Sequence, residues 1–254
     1  LRVTAAESAR NPRGAFPYDI HIEEDDNITI EAVPRSSGKI SFKAVGGKLD
    51  VEAGILTDGD IHIETKNYSE TTPLVTEFGE ISIVADDIDV LNSMVVKAAP
   101  LDDRDTDISL HATSGGIRLQ GLVSSPNAIY LRQEGVGTGQ TISGQTRIQT
   151  KQLRIEAEGD VDVFTDVYEV RGSSETGNFF LDEMNDIEVT SLQAPNGSIS
   201  LTANGVDLGG ESINPIALTA RIIEGTNLYV SAPNGSMDID IDTSSDLNLM
   251  LDPK

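Results

Sequence analysis

The sequence predicts an all-β chain wound as a right-handed parallel β-helix, a β-solenoid of about 20 residues per turn. Three observations predict it. Apolar and polar residues alternate in short runs along nearly the whole chain, related runs recur at spacings of 19 to 21 residues, and the apolar supply is aliphatic. Hydrophobic residues make up 38% of the 254 residues, aromatics only 4%, and there is no Trp. A narrow interior of stacked short strands is filled by such side chains, whereas a compact core of this size draws more on large aromatics.

The alternation is explicit from Ile28/Ile30 through Ile40/Phe42, Leu49/Val51, Ile61/Ile63 and Ile81/Ile83. It continues through Ile108/Leu110, Ile129/Leu131, Leu153/Ile155, Val161/Val163, Ile187/Val189, Ile199/Leu201 and Leu228/Val230. A polar residue sits inside each pair, such as Thr29, His62, Asp162 or Tyr229, so one face of each strand lies in a core and the other in solvent. Gly, Asn, Asp and Ser clusters, for example Gly46-Gly47, Asp58-Gly59-Asp60 and Ser114-Gly115-Gly116, supply the corners.

Recurrence separates a solenoid from a string of β-sandwiches. The strand Asp60–Ile63 returns 20 residues later as Glu80–Ile83, and Ile108, Ile129 and Ile148 are spaced by 21 and 19. The step from Ile199 to Leu218 is 19, and the turn Ala194–Ser198 is repeated as Ala232–Ser236, 38 residues later, which reads as two turns of 19. Segments Lys66–Phe78, Ala99–Thr106, Gln133–Gly144 and Arg171–Asn178 are expected to bulge outward as loops and so account for longer steps such as Ile81 to Ile108. Leu1–Pro17 is polar and without alternation, a lead or N-terminal cap, and residues 18–254 form a single β-helix. Because Leu247, Leu249 and Leu251 still alternate, the helix is expected to continue beyond Lys254.

The net charge is 18 − 42 = −24. That argues against nucleic acid and against anionic membrane surfaces, both of which select positive faces. No stretch is apolar enough for membrane insertion. With no Cys, disulfide frameworks and thiolate metal sites are excluded. The charge is compatible with divalent cations, with basic partners or with simple solubility.

The runs Gly59–Thr65, Gly79–Val90, Thr106–Gly121 and Ala194–Leu208 resemble the shaft repeats of large bacterial exoproteins of the filamentous-haemagglutinin type. The resemblance covers most of residues 18–251 and implies export from a bacterium to the cell surface or medium. It also implies a structural or adhesive role, with partners that are other copies of the chain, neighbouring surface proteins or glycans. The family's secretion domain carries an Asn-Pro-Asn motif near its start. The closest sequences here are the two Ala-Pro-Asn-Gly turns, far from the N-terminus, so shaft repeats are the expectation.

No Gly-x-Ser-x-Gly, Walker loop or His-Glu-x-x-His is present, and a non-enzymatic role is expected. The densest charge cluster, Asp102, Asp103, Asp105 and Asp107, is the candidate metal site, offering oxygen ligands suited to Ca²⁺. The sequence requires no cofactor; Ca²⁺ is the ion this cluster would suit. A second group, Asp86, Asp87 and Asp89, and the outward run Asp238, Asp240 and Asp242 read as solvated faces. The alternative function is a polysaccharide-binding or polysaccharide-cleaving β-helix, which needs a groove where Asp, Lys or Arg and an aromatic converge on one face. The outward Tyr130 and Tyr229 are candidate stacking platforms for sugars.

Overall fold

The computed structural model describes residues 19–31, 35–36, 38–98, 106–135, 141–185, 187–203, 216–231, 235–241 and 248–252, with side chains for all of these except 35, 216–226, 235–241 and 248–252. Like strands of successive turns stack into three columns. The first joins Ile20, Ile40, Ile61, Ile81, Ile108, Ile129, Leu153, Val170, Val189, Ala220 and Ile239. The second joins Ile28, Leu49, Tyr68, Ile88, Ile117, Ile142, Val161, Phe179, Ile199, Leu228 and Leu249. The third joins Ile55, Leu74, Met94, Val123, Ile148, Thr165 and Glu183.

Every strand pairing among the described residues is parallel, and no helix occurs among them. Stacked sandwiches would instead show antiparallel hairpins. The chain is thus a parallel β-solenoid of about 20 residues per turn. Its core is the single aliphatic stack formed where the three columns face inward, from Ile28 to Val230. Alternation places every second residue there: Ile61, Ile63 and Thr65 are buried, while His62 and Glu64 face out.

Two of the four expected loops belong to the solenoid wall. Within Lys66–Phe78, the strand Ile61–Glu70 carries Tyr68 and Glu70 into the core, and Leu74–Thr76 opens the third column. Within Arg171–Asn178, the strand Val161–Ser174 runs on, and Ser174 is buried. Both segments hide polar residues in the interior, which is why their pattern resembles loop. Gln133–Gly144 begins and ends in strand, with 136–140 outside the described residues. Ala99–Thr106 lies almost wholly outside them, but the ladder closes across it, Ile81 pairing directly with Ile108.

The spacing argument also needs correction in detail. Ile81, Ile108 and Ile129 are true ladder neighbours, but Ile129 pairs with Leu153, and Ile148 belongs to the third column. Ile199 pairs with Leu228, whereas Leu218 belongs to the first column. The first Ala-Pro-Asn-Gly-Ser segment leads into second-column Ile199; of the second, 232–234 lie outside the described residues, but the strand that starts at Gly235 sets Met237 beside first-column Leu218. The two copies precede strands of different columns, so their recurrence does not measure whole turns.

Close stacking restricts side chains at two kinds of position. A Cβ on Gly79 would collide with the backbone of Gly59 one turn below. A Cβ on Gly172 would lie 2.5 Å from the ring of Phe179, so this inward glycine opens the space that the phenyl ring fills.

Candidate functional site

The acidic residues divide by position. Among the described residues with side chains, seven strand starts carry Asp or Asn immediately before the first inward apolar residue: Asp19, Asn27, Asp60, Asp87, Asp107, Asp160 and Asn178. In each, a side-chain oxygen accepts the backbone N–H at the same corner one turn on. The donors are Lys39, Lys48, Glu80, Gly116, Asn127, Asn178 and Ser198, at 2.7–3.1 Å. A carboxylate bound to a backbone N–H is a charge-assisted bond, and repeated at successive corners it ties turn to turn outside the strand ladders.

Asp107, from the candidate metal cluster, is one of these staples. It is fully buried, and its carboxylate accepts the Asn127 and Ala128 N–H groups and the Asn127 side-chain amide. Asp102, Asp103 and Asp105 lie outside the described residues. Among the described residues no three His, Asp or Glu side chains converge as a metal cage. Asp86 accepts the Thr113 hydroxyl at 2.8 Å, and Asp89 grips Arg118 through two bonds. The side chains of Asp238, Asp240 and Asp242 lie outside the described set.

On the outer face of the first column Arg154 lies over the Tyr130 ring, 4.8 Å from its centroid. Glu156 accepts from both the Tyr130 hydroxyl, at 2.5 Å, and Arg154. Burial works against ionisation of Glu156, but these two hydrogen bonds hold its carboxyl below the usual range. Tyr130 is therefore committed to its neighbours. Arg132 and Glu134 form a second ion pair on this face.

A concavity lies along the third column and the corner that follows it. It is an open groove of about 740 Å³ lined by Lys97, Gln149, Lys151, Asp166, Tyr168 and Asn185, among others. These residues come from successive turns, because Ser124, Gln149 and Asp166 are ladder partners. The groove coincides with a change in the winding. From Leu49 to Ile55, Tyr68 to Leu74, Ile88 to Met94, Ile117 to Val123 and Ile142 to Ile148, six residues separate second and third columns. From Val161 to Thr165 and Phe179 to Glu183 only four do, and a register break between Ser143 and Arg147 absorbs the difference.

That break also sets the groove's polar geometry. Arg147 meets Asp166 at 3.2 Å, and the Asn185 amide donates to the other Asp166 oxygen at 2.7 Å. Asp166 is thereby fixed in orientation. Lys97 pairs with Glu77 on the groove's flank. Lys151 has no ion-pair partner among the described residues. Tyr168 stands 63% exposed, the most exposed large hydrophobic side chain among those described.

Besides Asp107, two carboxyl groups are fully buried among the described residues, those of Glu183 and Glu70. Burial pushes the Glu183 carboxyl up to about 7, against hydrogen bonds from the Asn185 N–H, the Thr165 hydroxyl and the Val167 N–H. Its oxygens are taken up by these groups and the residue is fully buried, so it supports the groove floor and offers no proton to a bound ligand. Farther along the core, Glu70 sits in the second-column stack between Val51 and Val90. Its carboxyl accepts the Tyr68 hydroxyl, and burial pushes it up to about 8. Tyr68 is raised as well, by burial and by Glu70.

Asp166, Lys97, Lys151 and the exposed Tyr168 line this one groove, with Arg147 paired to Asp166. The sequence points to Tyr130 and Tyr229, and nothing in its alternation singles out Tyr168. Fold and groove together define a parallel β-solenoid with a polar surface groove. No family model, curated protein or solved structure matches the chain.

Proposed function

We propose that this chain is a shaft module of a large bacterial surface protein of the filamentous-haemagglutinin type, a stiff rod that spaces or displays binding sites outside the cell. What carries the reading is the unbroken parallel stacking from Ile20 to Ile239 around one aliphatic core. Corner staples reinforce it at seven of the described strand starts. In such a rod each turn contacts only its neighbours, so length is set by the number of turns and stiffness by the axial hydrogen bonds. Its partners are neighbouring copies or other surface proteins.

Small-angle scattering tests the rod. An elongated envelope is expected, and duplicating one turn should lengthen it by about 4.8 Å, the spacing of adjacent strands. A near-spherical envelope would sink the reading. Immunolabelling of intact cells of the source organism should decorate the surface, and label found only in lysed cells would contradict export.

A second reading is favoured by the groove itself: the rod also binds polysaccharide. The exposed Tyr168 beside Asp166, Asn185, Gln149 and Lys151 offers a stacking face ringed by donors and acceptors. With Glu183 sealed in the wall, the arrangement suits binding rather than cleavage.

A further inference from the structure

We propose that the groove along the third column binds an oligosaccharide carrying carboxylate groups, with the Tyr168 ring as stacking platform and Lys151 as the carboxylate's counter-ion. The inference rests on the polysaccharide-binding reading and names its substrate class. Four features carry it.

The groove crosses successive turns from Lys97 to Asn185, so its wall repeats at about 4.8 Å along the axis. That is a track for an extended polymer rather than a pit for a compact molecule. Its polar groups are of mixed type. Asp166 accepts from Arg147 and from the Gln149 and Asn185 amides, and the Gln149 side-chain carbonyl oxygen and second amide N–H remain to offer an acceptor and a donor to a hydroxyl-rich ligand. Tyr168 presents an aromatic surface without a stacking partner among the described residues, whereas Tyr130 is covered by Arg154.

Charge sets the class. In a chain of net charge −24, Lys151 stands in the groove without an ion pair among the described residues, and Lys97 lies at the other end. The Asp166 charge is balanced by Arg147. With Lys97 paired to Glu77 and Asp166 to Arg147, Lys151 is the one charged groove residue without an ion-pair partner among those described, a cation suited to a sugar carboxylate. A peptide is disfavoured as occupant. The wall strands Val123–Ser124 and Ile142–Ala157 are paired on both sides, so no free strand edge is offered for β-addition.

The test titrates the whole chain by calorimetry with tetragalacturonate, tetramannuronate and tetraguluronate, and with maltotetraose and methyl-esterified tetragalacturonate as neutral probes. At least one uronate should bind saturably at one site. Tyr168→Ala and Lys151→Ala should each weaken it about tenfold or more, and Arg154→Ala, on the first-column face, should leave it unchanged. Both variants alter exposed side chains, and unchanged circular dichroism confirms that they fold. Groove binding that is equal for the neutral probes and insensitive to Lys151→Ala would overturn the acidic class and leave polysaccharide binding standing. Absence of binding to every probe, or binding unaffected by Tyr168→Ala, would overturn the inference, and the former would remove the polysaccharide-binding reading with it. The shaft reading stands or falls separately, on the scattering envelope.

Discussion

Replacing the buried Tyr68–Glu70 pair by hydrocarbon should flatten the pH dependence of this protein's stability. The second-column stack around the pair reads Leu49, Tyr68, Ile88 and, two residues on, Val51, Glu70, Val90, so Tyr68→Phe with Glu70→Val completes it with side chains of its own kind. The Glu70 carboxyl is raised from 4.5 to about 8 by burial. Between those values the folded chain keeps a proton that the unfolded chain has released, so stability falls as pH rises. The contribution is complete below about pH 4.5 and is lost by about pH 8. At about 1.4 kcal/mol per pH unit, the loss between pH 5 and pH 8 is roughly 3–4 kcal/mol for this one group. Urea unfolding followed by far-UV circular dichroism at both pH values measures it. The double variant should lose less stability over that interval than the wild type by this amount, and should be the more stable protein at pH 8, since a buried ionised group is replaced by packed hydrocarbon. Equal pH slopes in the two proteins would refute the reasoning.

Glu183 should act in the same direction over a lower window. Raised to about 7 by burial, it withdraws stability as pH climbs from about 4.5 to 7, and Glu183→Gln should remove that part of the slope in the same urea assay. Asp107→Ala should cost roughly 2–3 kcal/mol, because it strips partners from backbone N–H groups at a buried corner, and Asp107→Asn should cost less. A thermal midpoint unmoved by Asp107→Ala would dismiss the staple. Gly172→Val should destabilise by about 1–3 kcal/mol through overpacking against Phe179, and Phe179→Leu in the same chain should recover part of the loss. Simple additivity of the two would contradict the contact.

The class of fold is legible because a solenoid writes its core into the sequence twice, as alternation and as recurrence. Pairs such as Ile61/Ile63 and Ile81/Ile83 carry both signals at once and are ladder partners. Recurrence misleads where short polar sequences repeat: the two Ala-Pro-Asn-Gly-Ser segments look like a period, but the strands that follow them belong to different columns. Alternation misleads where inward positions are polar. Glu70, Thr76 and Ser174 point inward, and so Lys66–Phe78 and Arg171–Asn178 look like loops. The staples are in plain view as Asp or Asn just before an apolar pair, as in Asp60-Ile61 and Asp160-Val161. Their role depends on which N–H lies one turn away, and that requires the register. The groove is not legible at all. Lys97, Gln149, Asp166 and Asn185 lie on different turns, and only the shortened corner after Val161 gathers them.

The central claim is the parallel register across turns of unequal length, and an engineered disulfide tests it most directly. Ser82 and Ser109 are outward-facing ladder partners, although the undescribed stretch 99–105 lies between them in sequence. Neighbouring parallel strands lie about 4.8 Å apart, within the span a disulfide bridges. The chain has no Cys of its own, so Ser82→Cys with Ser109→Cys introduces a single possible pair. Mild oxidation of the monomer should close it nearly completely, as read by mobility on a non-reducing gel. The pair Ser41→Cys with Ser82→Cys, two ladder steps apart through His62, should stay open. Failure of the Ser82→Cys, Ser109→Cys variant to close, or closure of the two-step variant instead, would contradict the solenoid register on which the rod and its groove depend.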